Sequence, residues 1–176
     1  MELKSNAPEI KWIIQHAPVN DFARSLDTCL LRTGTLTQPM LDAVRRNLSA
    51  SVVDTAGVER IVTAFNNALE SGLKQPKMYL GDFTFKLATR GANKGAIFVT
   101  EGGAYLGKVA GGKFMGTRDC SDEQKAEILK VCADPKAAAE TFGKETGRCS
   151  CCGRELTDPV SIANCIGPIC AERYGF

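Results

Sequence analysis

The chain has 176 residues, of which 44% are hydrophobic and 24% charged, and its formal net charge at neutral pH is +2. That length suits one ordinary domain or two small ones with a real apolar core, and the composition excludes a disordered or collagen-like chain. No apolar run approaches the roughly 20 residues that cross a bilayer, and Met1–Asn6 lacks the apolar stretch of a secretory leader, so no membrane partner and a cytoplasmic location are expected.

In chain order, Pro8 to His16 is predicted as a short helix. It carries Trp12 beside Ile10, Ile13 and Ile14, a tryptophan placed in a helical core, with an interface anchor as the alternative. Asn20 or Asp21 caps a second helix that runs to Arg32 and stops at Gly34. Its inner face holds Phe22, Leu26, Cys29 and Leu30, with Cys29 expected to be a small buried hydrophobe. Thr37 caps a third, with Pro39 in its first turn and Met40, Leu41, Val44 and Leu48 as the stripe. The fourth begins near Asp54, carries Val58, Ile61, Val62, Phe65 and Leu69, and ends at Gly72. Four short helices with tight connections suggest a helical unit over residues 1–75.

From Lys77 the apolar period changes to two. Phe83, Phe85 and Leu87 alternate with Thr84 and Lys86, and Ala96–Thr100 and Ala104–Val109 flank the turn at Glu101-Gly102-Gly103. Gly111-Gly112 precedes a shorter strand at Lys113–Met115. Ser121 and Gln124 form a capping box for a helix carrying Ile128, Leu129 and Cys132, and Asp134-Pro135 opens another that ends at Gly143. Residues 76–146 are thus expected to form a small antiparallel sheet with following helices, and 147–176 a separate metal-binding module. The fold class is α+β.

Charge is uneven. Residues 74–118 hold eight basic and two acidic side chains, although the whole chain is nearly balanced. Lys77, Lys86, Arg90, Lys94, Lys108 and Lys113 interleave with Tyr79, Phe83, Phe85, Phe98, Tyr105 and Phe114. Cations for phosphates and flat rings for unstacked bases make these lysines and arginine candidate nucleic-acid contacts. The competing reading turns the aromatics into the core and the lysines to water.

Five of the eight cysteines, Cys149, Cys151, Cys152, Cys165 and Cys170, crowd the last 28 residues. In a reducing compartment such a cluster binds metal more often than it forms disulfides. Cys149 and Cys152 have the two-residue gap of a knuckle, and Gly153 suits the turn. Pro168 opens a terminal helix with Cys170 in its first turn. Cys149, Cys152, Cys165 and Cys170 are the predicted ligands of one tetrahedral Zn2+ in a treble-clef-like module. Four thiolates leave no position for water, so the zinc is expected to be structural. Leu156, Val160, Ile162, Ile166 and Ile169 are nearly all the apolar material the module has. Cys120, ahead of a helix start, and Cys132 are assigned structural places.

The string Gly147-Arg-Cys-Ser-Cys-Cys-Gly-Arg-Glu-Leu-Thr-Asp-Pro-Val-Ser-Ile-Ala-Asn-Cys-Ile-Gly-Pro-Ile-Cys170 resembles the C-terminal motif of an uncharacterised family of bacteriophage and prophage proteins. The likeness extends loosely to Thr141-Phe-Gly-Lys144 and Gly34-Thr-Leu-Thr37. In that family glycine usually stands at the position of Cys165, which leaves Cys165, Cys151 or Asp158 as the fourth ligand here. The resemblance implies a fold and a viral context, with the host cytoplasm as location.

Two functions follow as expectations. One is a non-catalytic accessory protein that contacts nucleic acid, single-stranded or duplex. The alternative is an effector that binds and blocks or redirects a host protein such as a polymerase or defence complex. Catalysis is not expected: His16 has no partner at metal or nucleophile spacing, Asp82 and Glu101 are isolated acids, and no serine elbow, P-loop or dinucleotide glycine pattern occurs. No small-molecule substrate is evident.

Overall fold

The computed structural model describes residues 7–176, so the leader expectation at Met1–Asn6 lies outside the described residues. The chain divides into two compact units, one up to Ala50 and one from Ser51 onward. The division differs from the helical unit expected over residues 1–75. Its fourth helix carries an apolar stripe that the sheet, not the first three helices, covers.

The first unit holds α1 (Pro8–His16), α2 (Asp21–Thr33) and α3 (Gln38–Leu48). Asn20 starts α2 by accepting the Ala23 N–H at 3.0 Å, and Gly34 closes it with φ +69°. Thr37 precedes α3 without a side-chain cap bond. Trp12, Ile13, Ala23, Leu26, Leu36, Leu41 and Val44 are the core. Trp12 is thus inside, stacked on His16 at 4.6 Å, and Cys29 is half-buried at the margin. Arg45 Nε donates to Glu9 Oε1 at 2.8 Å, tying α3 to α1.

The second unit is a six-stranded antiparallel sheet with five helices. Its strands are β1 (Ser51–Val52), β2 (Lys77–Leu80), β3 (Phe83–Leu87), β4 (Ile97–Glu101), β5 (Ala104–Ala110) and β6 (Lys113–Gly116), in the spatial order β1-β6-β5-β4-β3-β2. Apart from β1 it is a meander, in which each strand pairs with its successor, through tight turns except for the longer connection 88–96 between β3 and β4. The helices are α4 (Thr55–Glu70), α5 (Asp122–Ala133), α6 (Pro135–Thr146), α7 (Pro159–Asn164) and α8 (Pro168–Tyr174). Asp54 caps α4, Ser121 with Gln124 makes the full capping box of α5, and Asp134 caps α6.

One face of the sheet is the core. Phe85, Leu80, Ile97, Val99 and Phe114 pack with Ile61 and Phe65 of α4 and Ile128 of α5. Burying each such side chain contributes roughly 1.5–3 kcal/mol, which is why α4 belongs here. Gly57 permits the crossing of α4 over α5, since a Cβ there would lie 1.8 Å from the Cys132 carbonyl oxygen. Gly143 plays a similar part in α6. It does not end that helix, which continues to Thr146 and is closed by Gly147.

Candidate metal centre and basic sheet face

The knuckle is a tight hairpin bridged at Arg148 and Glu155. Cys149 N–H donates to the Arg154 carbonyl at 2.8 Å and Gly153 N–H to the Cys149 carbonyl at 2.8 Å. Gly153 has φ +75°, and a Cβ would meet the Tyr79 ring at 3.1 Å, so both the turn and its seat require glycine. The chain then enters α7, whose N-cap is Asp158, and α8, which places Cys170 in its first turn.

Cys149, Cys152 and Cys170 converge, with their sulfurs all within 4.8 Å of one another. Zinc–thiolate bonds of about 2.3 Å need sulfurs roughly 3.8 Å apart, a small contraction from that arrangement. The electrostatics fit a cation. The Cys151 thiol donates to the Cys149 sulfur, and the N–H groups of Cys152, Gly167 and Cys151 also point at it, holding Cys149 down to about 4 against burial. Burial and the Cys149 charge push Cys170 up to about 12. One thiolate fixed by amides beside a thiol that resists ionisation is what a divalent ion resolves, by neutralising the repulsion.

Cys165 sits apart from this cluster. It ends α7 with φ +58°, the one non-glycine residue in the left-handed region among the described residues, and its Sγ faces the Glu140 carbonyl at 3.5 Å. Gly143 presses against it: a Cβ on Gly143 would lie 2.2 Å from the Cys165 Cβ. Asp158 is engaged as a helix cap, accepting the Ser161 N–H at 2.9 Å and hydroxyl at 3.0 Å. Cys151 is buried against Cys149, and donating its proton there raises it far above the usual thiol range. Val160, Ile162 and Ile169, expected as module core, are exposed, whereas Leu156 and Ile166 pack against the main core.

Residues 139–175 match the family of unknown function DUF6011. The match starts inside α6 and spans the knuckle, α7 and α8. No curated protein and no solved structure matches the chain.

The module is fastened to the edge strand β2. Tyr174 Oη accepts the Lys77 N–H at 3.2 Å and donates to the Lys77 carbonyl at 2.8 Å, Ser150 O accepts the Tyr79 N–H at 2.6 Å, and Ala138 O accepts the Gly81 N–H at 2.9 Å. Sequence spacing carries no hint of this. In the sequence Tyr174 is merely the end of a short helix, yet it is 3% exposed.

The sheet face opposite the core carries the basic residues in rows. Register aligns Lys77, Lys86, Phe98, Lys108 and Met115 across five strands, and Tyr79, Thr84, Thr100 and Tyr105 across four. Lys113 lies on the same face, opposite Ala110. Arg90 and Lys94 are in the connection between β3 and β4, off the strands. Lys77 Nζ donates to Tyr79 Oη at 2.6 Å, and Tyr79 itself stacks on Phe142 at 5.0 Å. Lys108 Nζ donates to Asn93 Oδ1 at 2.6 Å. Phe83, Phe85 and Phe114 are core and Tyr79 is taken up by Phe142, so Phe98 and Tyr105 are the rings left among the lysines. No carboxylate occupies this face among the described strand residues. Glu101 pairs with core-facing Phe83 and accepts from Gln124 Nε2.

A cleft of about 1080 Å³ opens beside the module, with Ile61, Ala64 and Ala139 among its walls. Glu59, Arg60, Lys136 and Glu140 also line it, so it selects neither sign of charge. Among the described residues no helix is long and apolar enough to cross a membrane.

Proposed function

We propose that the chain is a non-catalytic accessory protein of bacteriophage or prophage type that contacts nucleic acid in the host cytoplasm and is held in shape by a Zn2+ on Cys149, Cys152 and Cys170, with a fourth ligand from Cys151, Asp158 or Cys165 completing a structural site. The carrying observation is the row Lys86, Phe98, Lys108 on a face without carboxylates. Phosphates need cations, and that face offers Lys77, Lys86, Lys108 and Lys113 to a polyanion. The metal supplies rigidity to the segment that closes the β2 edge. The test is fluorescence anisotropy with labelled oligonucleotides as salt is varied. Binding weakens steeply with rising salt if phosphates are contacted, and no binding at about 50 mM salt would refute the reading.

A second reading, an effector that seizes a host protein, is supported by the first unit. Val19 and Leu31 there are 85% and 82% exposed, alongside exposed Ile14 and Phe22. A pull-down from host lysate that returns no stoichiometric partner would remove it.

A further inference from the structure

On the reading that the outer sheet face contacts nucleic acid, we infer that its ligand is a single strand, whose unpaired bases stack on Phe98 and Tyr105 while Lys86, Lys108 and Lys113 hold phosphates. The first reason is the register. Neighbouring strands lie about 4.8 Å apart, so Lys86 and Lys108 stand roughly 10 Å from each other with the Phe98 ring between them. A strand with splayed bases presents flat faces and phosphates alternately, which this spacing serves. A duplex keeps its base faces stacked inside and offers a ring nothing to lie on.

The second reason is the β-bulge opposite Val99 and Thr100. Tyr105 and Lys108 are three residues apart and on a regular strand would point to opposite faces. The bulge places Leu106 and Gly107 together on the core side, so Tyr105 and Lys108 share the outer face. Gly107 is obligatory, because a Cβ there would come within 2.4 Å of the Met115 carbonyl oxygen. The outcome is a pair of rings, Phe98 and Tyr105, edge to face at 5.8 Å, with Tyr105 47% exposed. The bulge therefore seats Leu106 in the core in the place that alternation would give Tyr105, and leaves the tyrosine in water beside a phenylalanine.

The third reason is width. Six strands span roughly 24 Å, about twice the 12 Å major groove, so this face does not enter a duplex as a helix or a two-stranded ribbon does.

The test uses the full chain with its metal and three labelled probes: oligothymidylate, oligouridylate and a hairpin duplex of equal nucleotide count. Single strands are expected to bind at least about tenfold more tightly than the duplex, and the ratio of the two single strands names the preferred sugar. Phe98→Leu, which keeps apolar bulk but not a flat face, and Tyr105→Ala are each expected to weaken single-strand binding roughly 5- to 150-fold while leaving duplex binding unchanged. Lys86→Gln with Lys108→Gln is expected to lessen the salt slope for single strands by about 0.7 for each phosphate that is no longer neutralised. Matched thermal melting and circular dichroism guard against a folding defect. Equal affinity for duplex, or a Phe98→Leu protein that binds like the parent while the lysine variant fails, overturns the single-strand inference and leaves nucleic-acid contact standing. No binding of any probe at about 50 mM salt overturns both.

Discussion

Replacing Gly143 by alanine asks α6 to accept a methyl group where Cys165 already sits. The new Cβ would lie 2.2 Å from the Cys165 Cβ, 2.7 Å from its Sγ and 3.0 Å from its Cα, whereas carbon atoms in contact prefer about 3.5–4.0 Å. The helix must therefore move by more than about 1 Å, an overpacking strain of about 1–3 kcal/mol, offset by about 1 kcal/mol of alanine helix propensity. Gly143→Ala should lower the urea midpoint by about 0.5–1 M at ordinary slopes. Cys165→Gly removes two of the three clashing atoms and relieves a left-handed residue that costs about 1–2 kcal/mol, against the loss of one buried thiol of similar worth. The single Cys165→Gly change should thus be near neutral, and the double variant should recover about 1–2 kcal/mol over Gly143→Ala alone. Far-UV circular dichroism is the proper monitor, because Trp12 belongs to the other unit. A Gly143→Ala protein as stable as its parent, or a double variant no better than the single, refutes the packing argument. Metal content supplies a second readout: Cys165→Gly should keep full stoichiometry, and a loss would return Cys165 to the ligand set.

Chelation of the native protein should remove amide protection over residues 149–175, since structural zinc contributes roughly 10–16 kcal/mol in small modules, and acid should release the metal because its thiolates must be deprotonated. Unchanged hydrogen exchange in the metal-free chain would contradict this. In the first unit, Arg45 holds the Glu9 carboxyl below the usual carboxylate range. A depressed folded value stabilises above the unfolded pKa of about 4.3 and is lost as pH falls through the folded one. Glu9→Gln should therefore cost about 1 kcal/mol at neutral pH and nothing once both forms are uncharged, followed by Trp12 fluorescence during unfolding.

The signals that sequence displays are local ones. Asn20, Asp54, Asp134 and the Ser121–Gln124 pair announce their helices because a cap is satisfied within three residues. The hairpins at 101–104 and 110–113 are legible for the same reason. The partner of a helix is not a local property. The stripe on α4 reads alike whether three helices or a sheet covers it, and so the unit boundary lies elsewhere than periodicity suggests. β1 is two residues long and finds β6 some sixty positions later, beyond any periodicity. α7 is barely more than one turn, with Val160 and Ile162 facing water, so it offers no stripe to detect. At the candidate metal centre, spacing singles out Cys149, Cys152 and Cys170, which the fold brings together, whereas Cys165 shares their spacing signal but is turned toward Gly143 by its backbone. Cys120, assigned a structural place despite its position ahead of a helix start, has its pKa raised by burial.

Three N–H groups along β2 and the turn that follows it, at Lys77, Tyr79 and Gly81, end on Tyr174, Ser150 and Ala138 rather than on another strand. Two of those acceptors sit in the segment that the cysteines organise. If that segment is held by the proposed zinc, a copy without its ion would present open ladder rungs to a passing extended chain, its own twin included. On the proposed zinc reading, scarcity of the ion should show first as self-association through that border.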